Sequence, residues 1–117
     1  MKDGDIALAS LPQADGKLKH RPVALLVRLP PFNDFLVCGI STQLQQAVAD
    51  FDEMVTPADP EFSATGLKAA SLVRLGFLAT LPETLLLGRI GRLSPARHHR
   101  LLTNLCHHLS AHGVQGV

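Results

Sequence analysis

Apolar residues in this chain fall first into short blocks of strand length and reach helical spacing only near the C-terminus. Gly4-Asp5 precede Ile6-Ala7-Leu8-Ala9, which predicts a short first strand. The polar segment Pro12 to His20, with Gly16, reads as a mobile loop. Pro22 to Leu29 is almost continuously apolar, the pattern of a buried strand. Pro30-Pro31-Phe32-Asn33-Asp34 then turns the chain, since prolines cannot donate to a ladder and Asn-Asp suits a corner. Phe35 to Thr42 returns as the antiparallel partner of a hairpin. Phe51 to Val55 reads as an edge strand with acids on its exposed side, and Pro57, Pro60 and Gly66 bound a loop or one helical turn. Ala70 to Arg74 and Phe77 to Leu81 are strand pieces separated by Gly76, which suggests one bulged strand. Gly88 and Gly91 within Leu85 to Leu93 suggest a strongly bent strand or a close backbone approach.

Ser94-Pro95 has the chemistry of a helix start, an N-cap followed by a first-turn proline. Leu101, Leu102, Leu105 and Leu109 follow at helical spacing with His98 on the same stripe, and Gly113 is the expected stop. The expected fold is therefore mainly β with a C-terminal α-helix: five or six short strands forming a small barrel, with the amphipathic helix packed against it. One domain over residues 1–117 accommodates this, with the barrel at about 4–93 and the helix at about 95–112.

Composition agrees with a self-sufficient core. Of 117 residues, 46% are hydrophobic, enough to fold without a metal or disulfide staple, and 18% charged residues with a mean hydropathy of +0.19 argue against disorder. The uncharged run Phe35 to Ala49 is broken by Ser, Thr and three Gln, so no membrane span is expected. The first residues include Lys2, Asp3 and Asp5 without an apolar stretch, so no secretion signal is visible and a cytoplasmic location is expected. Cys38 and Cys106 stand far apart and are expected to be reduced thiols. The net charge of +1 neither favours nor disfavours a nucleic-acid partner, but its distribution is uneven. Residues 49–66 hold Asp50, Asp52, Glu53, Asp59 and Glu61 with no base, whereas residues 67–117 hold Lys68, Arg74, Arg89, Arg92, Arg97 and Arg100 against Glu83 alone. Such separation can create a local positive field in a near-neutral chain, although solvated surface charge is the plainer reading.

Several chemistries lack their signatures. There is no phosphate-binding Gly-rich loop with Lys-Ser/Thr, no H-E-x-x-H and no C-x-x-C. Gly88-Arg89-Ile90-Gly91 has the outline of a KH clamp but lies between apolar residues, as a strand bend would. His108 and His112 are one helical turn apart and could share a metal, but no third ligand has suitable spacing, so neither metal nor cofactor is expected. A Ser-His-Asp triad has no G-x-S-x-G elbow behind it. The constellation that stands out is His20-Arg21-Pro22 entering one strand and Ile40-Ser41-Thr42-Gln43 closing the next. Two adjacent strand ends can bring a guanidinium and a hydroxyl to one phosphate, and the arginine fork binds phosphate oxygens bidentately. The plain alternative is an exposed arginine before one strand and a Ser-Thr turn after another.

These same residues resemble the MazF/PemK/Kid toxins of type II toxin–antitoxin systems. Gly4-Asp5 before the first strand, a loop ending in Arg21-Pro22, the Ile-Ser-Thr-Gln strand end, the strand Ser71 to Leu81 and the leucine-rich final helix occur in the family's order over about residues 4–112. The resemblance implies an SH3-like barrel of the MazF/PemK/CcdB type and a homodimer. It also implies metal-independent cleavage of single-stranded mRNA by 2′-OH attack, growth inhibition, and neutralisation by a cognate acidic antitoxin. DNA would be met only through the antitoxin complex. Carried over by position, Arg21 matches the family's catalytic arginine, Ser41 its catalytic threonine with Thr42 beside it, and Arg74 the second arginine of some members. The acid that many relatives carry in the first loop falls on Gly16, with Asp15 adjacent, and the acid accompanying the second arginine falls on Gly76. Asp15 is thus one candidate base, and Arg21, which does not deprotonate, is better suited to stabilising the phosphoryl group. Lys17, Lys19, His20 and Gln43 would contact the RNA. With five Phe and no Tyr or Trp, phosphate and base-edge contacts are expected to outweigh stacking. The competing expectations are a barrel that binds RNA or an antitoxin-like peptide without cleaving, and a purely structural oligomerisation domain.

Overall fold

A computed structural model describes residues 1–12 and 14–115. Six strands form one sheet: β1 (Asp5–Pro12), β2 (Leu18–Leu29), β3 (Asp34–Ser41), β4 (Glu53–Val55), β5 (Ser71–Leu81) and β6 (Leu86–Arg92). Their spatial order is β4-β5-β3-β2-β1-β6, with every neighbouring pair antiparallel. A single helical turn, α1 (Phe62–Thr65), follows β4, and α2 (Pro95–Gln115) ends the chain. The mainly β fold with a C-terminal helix is therefore the fold observed, as a curled half-barrel whose edges are β4 and β6.

The sheet buries both faces. On one, Ile6, Ala24, Leu26, Cys38, Val55 and Val73 pack with Leu93, Leu101 and Leu105, so α2 seals this core with its leucine stripe. On the other, Ala7, Ala9, Val23, Leu25, Phe35 and Val37 form a second cluster. The gap between the edges is bridged by α1: a Cβ on Gly91 of β6 would collide with the Thr65 backbone, so glycine is what permits that approach. Gly66, at φ +72°, ends α1 in the left-handed region that glycine adopts without steric penalty.

The first hairpin differs from its expectation. Only residues 13–17 lie between its strands, because the ladder continues through Ser10↔His20 and Leu11↔Lys19 to Pro12↔Leu18, and exposed polar side chains do not interrupt backbone pairing. β5 is one strand with a bulge, as its glycine suggests. Cys38 faces Leu78 and the next β3 residue, Gly39, faces Arg74, so Leu75, Gly76 and Phe77 are extra on β5. The acids at β4 are not displayed to solvent. Asp52 turns inward, accepting from the amides of Leu75 (3.0 Å) and Val48 (3.0 Å), while Glu53 receives Arg97 (3.2 Å) and Arg100 (2.9 Å) from α2.

Ser94 caps α2 as expected, its Oγ accepting from the Arg97 amide at 3.2 Å, and His98 contacts the Leu26 carbonyl oxygen through Nε2 at 2.8 Å. Two details of the helix are corrected. Leu109 is 59% exposed, because from Cys106 to His112 every helix residue is exposed and α2 has outrun the core. Gly113 does not stop the helix, which continues to Gln115; one interior glycine costs a helix only about 1 kcal/mol. Among the described residues no helix is long and apolar enough to cross a membrane.

Candidate functional site

Across β2 and β3, Val23 faces Gly39. Arg21 stands two residues before Val23 and Ser41 two residues after Gly39, so the period-two alternation of a strand puts both on the face that carries that pair. Gly39 also faces Arg74 on β5. Three neighbouring strands thus converge on a cleft of about 290 Å³ whose walls include Arg21, Ser41, Arg74 and Phe77, with Ala14 of the first hairpin at its rim.

Each side chain is positioned by a local device. Arg21 is exposed at the start of β2, just before Pro22 leads the chain into the core. The Ser41 Oγ accepts from the Gln43 amide at 3.0 Å, a tight turn at the strand end, and its own O–H can still donate. Arg74 sits at the β5 bulge, and its side chain makes no hydrogen bond or ion pair with another described residue. The bulge takes the Leu75 N–H off the β3 ladder, where Leu75 is only 1% exposed, and the Asp52 carboxylate satisfies it from the loop before β4. Asp52 therefore holds the segment that presents Arg74 and Phe77.

The structure brings together Arg21, Ser41 and Arg74, and leaves the remaining sequence candidates outside the cleft wall. Thr42 and Gln43 lie just past the strand end and are exposed, with Gln43 Oε1 accepting from Gln45 Nε2 at 2.8 Å. Asp15 stands one residue from Ala14, and its carboxylate accepts from the Lys17 amide at 3.0 Å. Lys19 is opposite Leu11 on the same face of the hairpin as Arg21, whereas His20, opposite Ser10, points to the other face. Gly16 (φ +81°) and Gly76 have open space around them.

Phe77 and Gly39 were not among the sequence candidates. A Cβ on Gly39 would lie 2.8 Å from Phe77 Cδ1, so the absence of a side chain there seats the phenyl ring against the β3 backbone. Gly76 signals the bulge in the sequence, but its three-residue length, which swings Phe77 to the cleft, does not show. The cleft walls carry two guanidiniums, a hydroxyl and an aromatic ring, a set that suits an anionic ligand with a flat apolar part. Among the described residues no group of three or more His, Cys, Asp or Glu side chains could hold a metal. His108 and His112 stack on each other at 4.3 Å, with Phe51 packed on His108 at 5.1 Å. Cys38, behind the site, is buried and its thiol is pushed up to about 12, first by desolvation and then by the negative charge of Asp52.

Comparison with known proteins adds a relationship to this geometry. No curated protein matches the chain. Among solved structures, the Mycobacterium tuberculosis toxin MazF-mt6 superposes with a TM-score of 0.63 at 26% sequence identity, over 86% of this chain and 90% of that one. The family model of the PemK-like, MazF-like toxin of type II toxin–antitoxin systems matches residues 2–109. The chain therefore belongs to the PemK-like, MazF-like family of type II toxins.

Proposed function

We propose that this toxin is an endoribonuclease that cuts single-stranded mRNA at the Arg21–Ser41–Arg74 cleft without a metal. The observation that supports it most is the convergence of those three side chains from three strands. A phosphodiester seated there meets two permanent positive charges, which favour the pentavalent phosphoryl group over the singly charged ground state. The 2′-oxygen attacks the adjacent phosphorus while its proton passes to a base. The P–O5′ bond then breaks, and the departing 5′-oxygen takes up a proton from water. The products are a 2′,3′-cyclic phosphate and a 5′-hydroxyl end. Arg21 and Arg74 carry the phosphoryl charge, and the Ser41 hydroxyl donates to a phosphate oxygen, with Thr42 offering a second hydroxyl at the same strand end. We assign the base to Asp15, which is next to a residue of the cleft rim. Lys17, Lys19 and Gln43 extend the polar rim along which the strand would run.

The same concentration of positive charge suits an acidic, disordered antitoxin segment that folds onto the cleft and excludes RNA. Exposed Leu85 and Leu87 offer an apolar patch to a second copy, as a homodimer requires. One observation favours a second reading, a barrel that binds RNA without cutting it: the cleft wall of described residues includes no carboxylate or imidazole. Induced expression separates the two. Growth arrest with transcripts newly cut at recurrent short sequences supports the nuclease, whereas intact transcripts together with saturable RNA binding support the second reading.

A further inference from the structure

We propose that Phe77 is a stacking platform for the base beside the scissile phosphate, an inference that rests on the RNA reading above. Phe77 belongs to neither core cluster and remains 44% exposed, yet it lines the cleft that holds both guanidiniums. Its position is built by two features of the backbone. The bulge between Arg74 and Leu78 turns it to the cleft, and Gly39 leaves the space in which the ring lies. A Cβ on Gly39 would stand 2.8 Å from Cδ1 and 3.1 Å from Cγ, so any larger residue displaces the ring. Single-stranded nucleic acid is held where cations meet the backbone and an aromatic surface meets the bases, which is the combination found here. A phenyl ring offers no hydrogen-bonding groups, so the platform adds affinity for any base and leaves base identity to polar groups on the rim. The platform adds one stacking contact to a surface where phosphate and base-edge contacts are expected to outweigh stacking.

The test uses the full chain and a synthetic single-stranded RNA containing a mapped cut site, with each base around the cut replaced in turn by an abasic nucleotide. Binding is followed by fluorescence anisotropy and cleavage under single-turnover conditions. Phe77→Ala is expected to weaken binding by about 5- to 150-fold on intact RNA. On RNA that is abasic at one position flanking the cut, that loss should vanish. Phe77→Trp should restore binding. Gly39→Ala should cause a similar loss in the parent and little further loss in a Phe77→Ala background, because both changes remove the same seated ring. Thermal melts identify a variant that has not folded, and Gly39→Ala carries the test if Phe77→Ala fails in this way. Binding by Phe77→Ala within twofold of the parent, or an equal loss at every abasic position, overturns the platform and leaves the nuclease reading intact. A parent that neither binds nor cuts RNA overturns the RNA reading, and the platform with it.

Discussion

Asp52→Ala removes the acceptor that the β5 bulge depends on. In the folded chain the Leu75 N–H has no ladder partner and almost no access to water, so the Asp52 carboxylate at 3.0 Å is its acceptor. A hydrogen bond to a charged group contributes about 1.5–3 kcal/mol, and an orphaned buried donor costs a similar amount. These describe one loss seen from two sides, so the expected destabilisation is about 2–3 kcal/mol. The second bond, to the Val48 amide, adds little because that residue is exposed and its N–H can turn to water. Urea unfolding followed by circular dichroism at neutral pH should show a midpoint about 1–2 M lower with an unchanged slope. Exchange of the Leu75 amide with deuterium should accelerate in parallel. Asp52→Asn keeps a side-chain oxygen facing that amide and should lose less than half as much. An Asp52→Ala variant within about 0.5 kcal/mol of the parent, or an Asn variant as damaged as the Ala variant, would refute the reasoning, since both outcomes mean that the bulge is satisfied by something else.

Three further predictions follow from the packing and the charge distribution. Arg97 is buried between Glu53 (3.2 Å), the Met54 carbonyl (2.7 Å) and Glu61 (3.1 Å), so Arg97→Ala should cost about 2–3 kcal/mol at neutral pH, chiefly through the lost packing and the Met54 carbonyl left without its donor, since Arg100 still pairs with Glu53 at 2.9 Å. Hydrogen bonds from its own backbone and then from Arg97 lower the Glu61 pKa in the fold, so that contribution is complete above the ordinary glutamate value and disappears as pH falls through the folded one; the gap between parent and Arg97→Ala should therefore narrow on acidification, and a gap that widens contradicts the assignment. A thiol reagent at pH 8 should modify exposed Cys106 in the native protein and spare Cys38 until unfolding, because Cys38 is buried and protonated; equal labelling of both would refute this. Replacing Lys17 and Lys19 with Ala should flatten the dependence of log binding constant on log salt by up to about 1.4, or roughly 0.7 for each lost phosphate contact, and an unchanged slope removes these lysines from the RNA path.

Much of the fold could be read locally, where the cause is local. The Ser94-Pro95 start of α2, the one-turn helix closed by Gly66 and the glycine-marked bulge in β5 each follow from a few adjacent residues. Errors arose where the outcome depends on residues distant in sequence. The polar look of Pro12 to His20 concealed a ladder that backbone pairing extends to Leu18, and the acids Asp52 and Glu53 looked solvated because their partners, Leu75 and Arg97, come from other elements. Leu109 kept the helical stripe although it lies beyond the turns of α2 that reach the core and is exposed. For the cleft, Arg21 and Ser41 were legible because Arg21 directly precedes the apolar run of β2 and Ser41 closes β3 beside it. Phe77 was not, since seating its ring takes a bulge of three residues and a glycine on the strand beside it.

The most direct measurement is single-turnover cleavage of a short single-stranded RNA by the parent and by Arg21→Ala, with the new ends identified chemically. The account predicts 2′,3′-cyclic phosphate and 5′-hydroxyl ends from the parent, and a rate at least about 100-fold lower for a folded Arg21→Ala, in proportion to the transition-state charge that the guanidinium carries. Equal rates for the two proteins, or 3′-hydroxyl ends from the parent, would contradict it.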